Sequence, residues 1–317
     1  EGPMVIVSFY RSYLTAADTD TVDALIRAFR AAGLAAIGLF APSLKSPGLG
    51  AWLQTQLVQT TPIAIVNATA FSARAEDGAT PFDALDCPVF QVALSTARRR
   101  DWAGSDRGLS PADLAMHVVL PEVDGRIFAG LASFKSPGKR DPDLQFSRFA
   151  HRADAAHIAT IVAKVQAWHA LSQTPAPNRK LAIVLSTYPG RPHQIAHAVG
   201  LDALASTDHL LTTLAAESYT AQPIPHLGKS LMQASLSWPL DAYKAALTTL
   251  PEALQADLTA AWGAPESDPA CQGNALHFAA LTAGQTLIAL QPERGDVTTR
   301  DGDYHDLQRI PRHAYVA

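Results

Sequence analysis

Met4-Val5-Ile6-Val7-Ser8-Phe9, then Thr19 to Ala32 (TDTVDALIRAFRAA), then Gly33 and Leu34-Ala35-Ala36-Ile37-Gly38-Leu39-Phe40 carry the reading that decides the fold. The two outer runs are short, apolar and without helical period, and read as strands. Between them Val22, Leu25, Ile26 and Phe29 recur at helical intervals and share one face. Asp18 or Thr19 is placed to cap that helix and Gly33 to close it. Strand, helix and strand in this order predict a parallel pair joined by a crossover helix.

Working outward, a helix around Ala51–Leu57 leads into a strand over Pro62–Val66. Val89–Leu94 and Ile127–Phe134 read as further strands, and Ser136–Asp143 (SPGKRDPD) as a polar, turn-rich break. Ala153–Leu171 predicts a long helix and Ser172–Lys180 a linker. The pattern then restarts with a strand at Leu181–Leu185 and a mostly helical stretch, Ile195–Leu214. Helical segments follow from Lys229 to Trp262, then a loop over Gly263–Gly273 and a last strand, Thr286–Leu290. The expected fold is α/β: two units with mainly parallel sheets flanked by helices, Rossmann/flavodoxin-like. Residues 1–150 make the first unit, 151–179 a connecting helix and linker, and 180–317 the second.

Composition narrows the function classes. Of 317 residues 48% are hydrophobic and 17% charged, enough to bury a core and too apolar for disorder. The net charge of -4 offers no basic face for nucleic acid. Arg98-Arg99-Arg100 lacks interleaved aromatics and reads as a solvated turn. No run approaches the ~18 apolar residues of a membrane helix, so no membrane partner is expected. The two cysteines, Cys87 and Cys271, have no metal-like spacing and suit a reducing cytoplasm.

Common catalytic motifs fail. Gly228-Lys229-Ser230 resembles the end of a phosphate-binding loop, but Pro223 stands where the earlier glycine belongs, so ATP is not expected to bind here. Gly48-x-Gly50 is followed by Leu53 instead of the third glycine of a dinucleotide fingerprint. His193 and His197 have the spacing of a zinc-protease pair, but Gln194 replaces the general-base glutamate. What remains is a set of polar residues just past strands, where open α/β sheets place ligands. Tyr10, Arg11 and Asn67 follow the first and third strands. Asn67 is equally a turn or capping asparagine, and Arg11, Arg126 and Arg294 are equally surface ion-pair residues. In Pro121-Glu122-Val123-Asp124-Gly125, Asp124 reads as a turn residue and Glu122, after an apolar strand at Val118–Leu120, as the better base or ligand. Gln291, Arg294, Tyr304, His305, His313 and Tyr315 follow the last strand.

Several segments together carry a family resemblance. They are Ser8-Phe9-Tyr10-Arg11-Ser12, Asn67-Ala68-Thr69-Ala70-Phe71, Asp86 to Val92 (DCPVFQV), Arg107 to Pro111 (RGLSP) and Leu120 to Ile127 (LPEVDGRI). Ser133-Phe134-Lys135, Trp262 to Glu266 (WGAPE), Leu290 to Gly295 (LQPERG), Tyr304-His305-Asp306 and Pro311 to Tyr315 (PRHAY) complete them. In this order, over nearly the whole chain, they resemble the large subunit of the ATP-dependent aerobic cobaltochelatase (the CobN type), a relative of the large subunit of magnesium chelatase. The chain departs from the family pattern at Gly190 to Gln194, at Gly284-Gln285 and at Asp296.

The resemblance implies binding of a corrin precursor, hydrogenobyrinic acid a,c-diamide, for insertion of cobalt(II) in cobalamin synthesis. It implies ATP hydrolysis by separate AAA+ partner subunits. The family's histidine- and glycine-rich loop is expected beyond residue 317, which makes this a fragment or short relative with an incomplete second unit. Insertion removes protons from ring nitrogens, work suited to an imidazole or carboxylate near neutrality. His305, His313 and Glu122 are therefore the candidate catalytic groups, and His305 and His313 also the transient cobalt ligands. Tyr10, Arg11, Asn67, Arg126, Gln291, Arg294, Tyr304 and Tyr315 are the candidate substrate-binding residues. Magnesium insertion by an H-type chelatase protein that binds protoporphyrin, and a non-catalytic tetrapyrrole- or metal-binding module, are the alternatives.

Overall fold

Val5, Val7 and Phe9 point to one side of the first strand and Ile6 to the other, and all four are buried. That double burial explains why β1 (Met4–Tyr10) reads as an unbroken apolar run. The computed structural model describes residues 2–57, 61–186, 196–198, 200–296, 306 and 308–317. The chain divides into two compact units, Glu1–Gln173 and Thr174–Ala317.

In the first unit β1 lies between β2 (Ala35–Ala41) and β3 (Ala64–Asn67), followed outward by β4 (Val89–Ser95), β5 (Ile127–Asp141) and β6 (Phe146–Ala153). β1 to β5 pair in parallel, and β6 returns antiparallel along β5. The order 2-1-3-4-5 reverses direction between β1 and β3, the switch point where such sheets form a crevice. The helix Asp20–Ala31 buries Val22, Leu25 and Phe29 against one face of the sheet. Each such side chain contributes roughly 1.5–3 kcal/mol. Leu53, of the helix Leu49–Leu57, packs on the other face with Phe82 and Leu85.

Two local readings give way in this unit. The break expected at Ser136–Asp143 is mostly strand, because β5 runs to Asp141 before turning into β6. Pro137 and Gly138 sit where the register with β6 is irregular, so the missing proline N–H disrupts no regular ladder. Asp18 does not cap the helix. Its carboxylate accepts the His151 amide at 2.9 Å, as Asp20 accepts that of Ala153 at 2.9 Å, stitching β6 to the helix start. The helix Ala155–Gln173, read as a connector, buries Ile158, Ile161, Val162 and Val165 in the first core.

In the second unit, the mainly parallel sheet expected is confined to one pair, β7 (Leu181–Leu185) beside Thr286–Leu290. Thr286–Leu290 also pairs antiparallel with Ala280–Ala283, and a separate antiparallel sheet joins Leu236–Pro239, Ala275–Phe278 and Cys271–Gln272. The two-residue loop Gly284-Gln285 dictates the hairpin. Gly284 has φ 64°, and a Cβ there would lie 2.4 Å from the Thr220 carbonyl oxygen. The helices Ala203–Ala216 and Leu227–Gln233 cover this sheet through Leu211, Leu227 and Leu231.

Candidate functional site

At the switch point of the first unit, the strand ends hold a closed polar network. Asn67 is fully buried: its Oδ1 accepts Ser8 Oγ at 2.6 Å and Thr69 Oγ1 at 3.0 Å, and its Nδ2 donates to Gln91 Oε1 at 2.7 Å. Gln91 Nε2 donates to the Thr69 carbonyl at 2.8 Å and Gln91 Oε1 also accepts Arg126 Nη1 at 3.0 Å. Arg126 Nη2 donates to Asp124 Oδ2 at 2.7 Å, and the two side chains are only 2% and 1% exposed. Burial lowers the Arg126 pKa and the Asp124 carboxylate opposes that shift, so the guanidinium stays charged. Asp124 in turn accepts the Ser72 hydroxyl and the Ala73 amide.

Asn67 and Arg126 were expected to face a ligand. Both instead have their polar groups satisfied inside the protein, where they brace the loop that follows β3. Asp124, read as a turn residue, is the counter-charge of that brace. Glu122 is exposed and does not follow a strand: Ala115–Val119 is a π-helical turn running into a helical turn at Leu120–Glu122. The apolar run misled because its pattern is inverted. Asp113, His117 and Pro121 point inward at intervals of four, while Val119 and Leu120 are 51% and 39% exposed.

Tyr10 ends β1 and donates its hydroxyl to the Ala70 carbonyl at 2.8 Å, and burial raises its pKa. Arg11 is exposed at the start of the helical turn Arg11–Thr15. Beside Tyr10 a crevice of about 200 Å³ opens between Ser43, Lys45, Phe71 and Ser72. Hollows of about 400 and 410 Å³ lie elsewhere, near the starts of β4 and β7. The small crevice is the better candidate because ligands of parallel sheets bind beyond the carboxyl ends of strands. Sequence reading missed Lys45, which belongs to no motif, and gave Phe71 no role although it closes the segment Asn67-Ala68-Thr69-Ala70-Phe71.

A second buried group lies at the end of β4 and along β5 and β6. Asp113 accepts Ser95 Oγ at 3.1 Å and the Thr96 amide at 3.0 Å, and His151 Nδ1 lies 3.3 Å from Ser133 Oγ. Burial lowers the pKa of His117 and of His151. His117 Nδ1 is buried without a hydrogen-bond partner. The spacing of four between Asp113 and His117 was the available signal.

In the second unit the closing segment is fastened down. His313 is fully buried, with Nδ1 2.9 Å from the Tyr243 hydroxyl and Nε2 3.1 Å from the Gly263 carbonyl. A carbonyl only accepts, so Nε2 carries a proton and donates it to Gly263, while Nδ1 is engaged by the Tyr243 hydroxyl. Neither nitrogen is left for a metal or a substrate proton, which corrects the expected role. Gln291 Nε2 donates to Tyr315 Oη at 2.8 Å, and Arg294 Nη2 donates to the Arg309 carbonyl at 3.1 Å. Tyr304 and His305 lie outside the described residues, as does His193. Among the described residues no three His, Cys, Asp or Glu side chains are grouped to hold a metal ion, and no helix is long and apolar enough to cross a membrane.

The family profile described as CobN/Magnesium Chelatase matches residues 1–317. The chain belongs to that family. It is similar to the aerobic cobaltochelatase subunit CobN of Sinorhizobium sp., with 31% identity across 100% of this chain and 26% of the relative. The H-type magnesium-chelatase protein of Rhodobacter capsulatus is 26% identical over 97% of the chain and 28% of its own length. The solved catalytic subunit of cobaltochelatase from Mycobacterium tuberculosis superposes with a TM-score of 0.79 at 29% identity, over 99% of this chain and 28% of that one. The chain thus spans about a quarter of the length of the CobN/Magnesium Chelatase family members it matches.

Proposed function

We propose that this chain is the tetrapyrrole-handling part of a cobaltochelatase large subunit. It binds hydrogenobyrinic acid a,c-diamide for cobalt(II) insertion in cobalamin synthesis, while AAA+ partners in the cytoplasm hydrolyse ATP. The observation that carries this reading is the 31% identity to a CobN protein along the whole chain, against 26% for the magnesium-chelatase relative. The strand-end crevice supplies a place for the substrate's edge. Tyr10 and Arg11 remain substrate-binding candidates there, and Gln291, Arg294 and Tyr315 in the second unit. His305 keeps the role of base or transient cobalt ligand, and Glu122, exposed, that of a candidate base.

Absorbance titration of the full-length polypeptide with the corrin precursor and, separately, with protoporphyrin tests the reading. Saturable binding of the corrin with weaker binding of protoporphyrin is expected. Failure to bind the corrin removes the substrate assignment, and preference for protoporphyrin moves it to the magnesium branch. With His305→Ala, cobalt insertion by the full complex is expected to fall at least about a hundredfold. Unchanged insertion removes His305 from the chemistry.

A further inference from the structure

The loop after β3 is held more firmly than an exposed loop requires. Ala68 N donates to the Ser8 carbonyl at 2.8 Å, Phe71 N to the Met116 carbonyl at 2.8 Å, and Ala73 N to Asp124 at 2.6 Å. Those acceptors lie on β1, on the π-helical turn and just before β5. The hydrogen bonds fix Phe71 at φ 65°, a left-handed conformation that costs a bulky side chain about 1–3 kcal/mol. Burial does not offset that cost, because Phe71 is 49% exposed.

The adjoining crevice has a definite chemical sense. Tyr10 gives its hydroxyl proton to Ala70, and Ser72 gives its own to Asp124. Ser43 Oγ accepts the Lys45 amide at 3.1 Å and keeps its proton. Lys45 is exposed and has no carboxylate partner among the described residues. The free hydrogen-bonding capacity is therefore a hydroxyl donor and an ammonium, which suits a carboxylate. Complete small-molecule sites occupy ~300–1,000 Å³. At about 200 Å³ the crevice accommodates an appendage and excludes a macrocycle.

We infer that Phe71 and this crevice form one subsite, resting on the reading of the chain as tetrapyrrole-binding. A carboxylate side arm of the macrocycle enters the crevice to meet Lys45 and Ser43, while the Phe71 ring lies against the macrocycle face. Lys45 selects the acid arm, and the strained loop presents the ring.

Binding of the corrin precursor and of its methyl ester, by fluorescence quenching of the full-length polypeptide, tests this. Lys45→Met is expected to weaken the free acid about tenfold and the ester less than about twofold. Phe71→Gly, which fits a left-handed backbone, is expected to weaken both forms about tenfold while the thermal midpoint holds or rises. Equal effects of Lys45→Met on acid and ester, or unchanged binding by Phe71→Gly, overturn the subsite and leave the substrate reading standing. If the unsubstituted protein binds neither form, the substrate reading itself falls, and the subsite with it.

Discussion

Both units gather polar side chains in and beside their strands, yet they use them differently. In the first, Asn67, Gln91, Arg126 and Asp124 bond among themselves and hold open a loop with a crevice beside it. In the second, His313, Gln291 and Arg294 bond to Tyr243, Tyr315 and the Arg309 carbonyl, and fasten the closing segment to its neighbours. Polar richness after a strand therefore marks a place where the chain must satisfy buried groups. A site is indicated most directly where hydrogen-bonding capacity is left over, as at Ser43 and Lys45.

The sharpest way to break this comparison is to remove one member of the buried ion pair. Asp124→Ala leaves Arg126 charged and unpaired and is expected to cost about 3–5 kcal/mol in urea unfolding of the first unit. Replacing both residues with apolar ones, Asp124→Leu with Arg126→Met, is expected to restore much of that loss. A single-substitution cost below about 1 kcal/mol would show that the network is not a brace.

His313→Ala is expected to cost about 2–3 kcal/mol through the lost Tyr243 bond and the cavity it leaves. Cobalt(II) binding, measured by calorimetry, is expected to stay unchanged. A selective loss of cobalt affinity at full stability would return His313 to the metal and erase the contrast between the units.

A smaller effect depends on pH. Burial lowers the pKa of His117 and His151, so the folded first unit binds fewer protons than the unfolded chain. Their contribution is fully present above the unfolded value of ~6.5 and is lost as pH falls through the folded values. The slope is at most about 1.4 kcal/mol per pH unit for each histidine. Asp154, whose pKa the Arg99 hydrogen bond lowers, acts in a separate window below the ordinary carboxylate range. Chemical denaturation from neutral to mildly acidic pH is expected to show the slope in the parent and a flatter one in His117→Gln. Identical slopes would mean that the buried imidazole is not a neutral one.

The parallel sheet of the first unit was legible because β1 is buried on both faces and Val22, Leu25 and Phe29 keep a helical period. The second half of β5 was not legible, since Pro137, Gly138 and Asp141 resemble a turn until pairing with Phe146–Ala153 is known. Nor was the helical turn at 115–122, whose apolar side chains face outward over a polar interior. The strand-end position of Tyr10 and Asn67, and that of Arg126 just before a strand, could be read locally. Which of them retain free groups could not, because Asn67 bonds partners as distant in sequence as Ser8 and Gln91. Lys45 emerged only from that accounting, and Phe71 only from its backbone conformation and exposure.

The anchoring of the loop after β3 also has an entropic consequence. An exposed aromatic on a free loop would have to be ordered each time a ligand arrived, at about 1–2 kcal/mol for each residue fixed. Here the ordering is complete once the sheet has folded, because the amides of Ala68, Phe71 and Ala73 are tied to three different elements. Their opening is coupled to the opening of the core, so a solvent-facing ring is carried on a backbone that fluctuates with the interior.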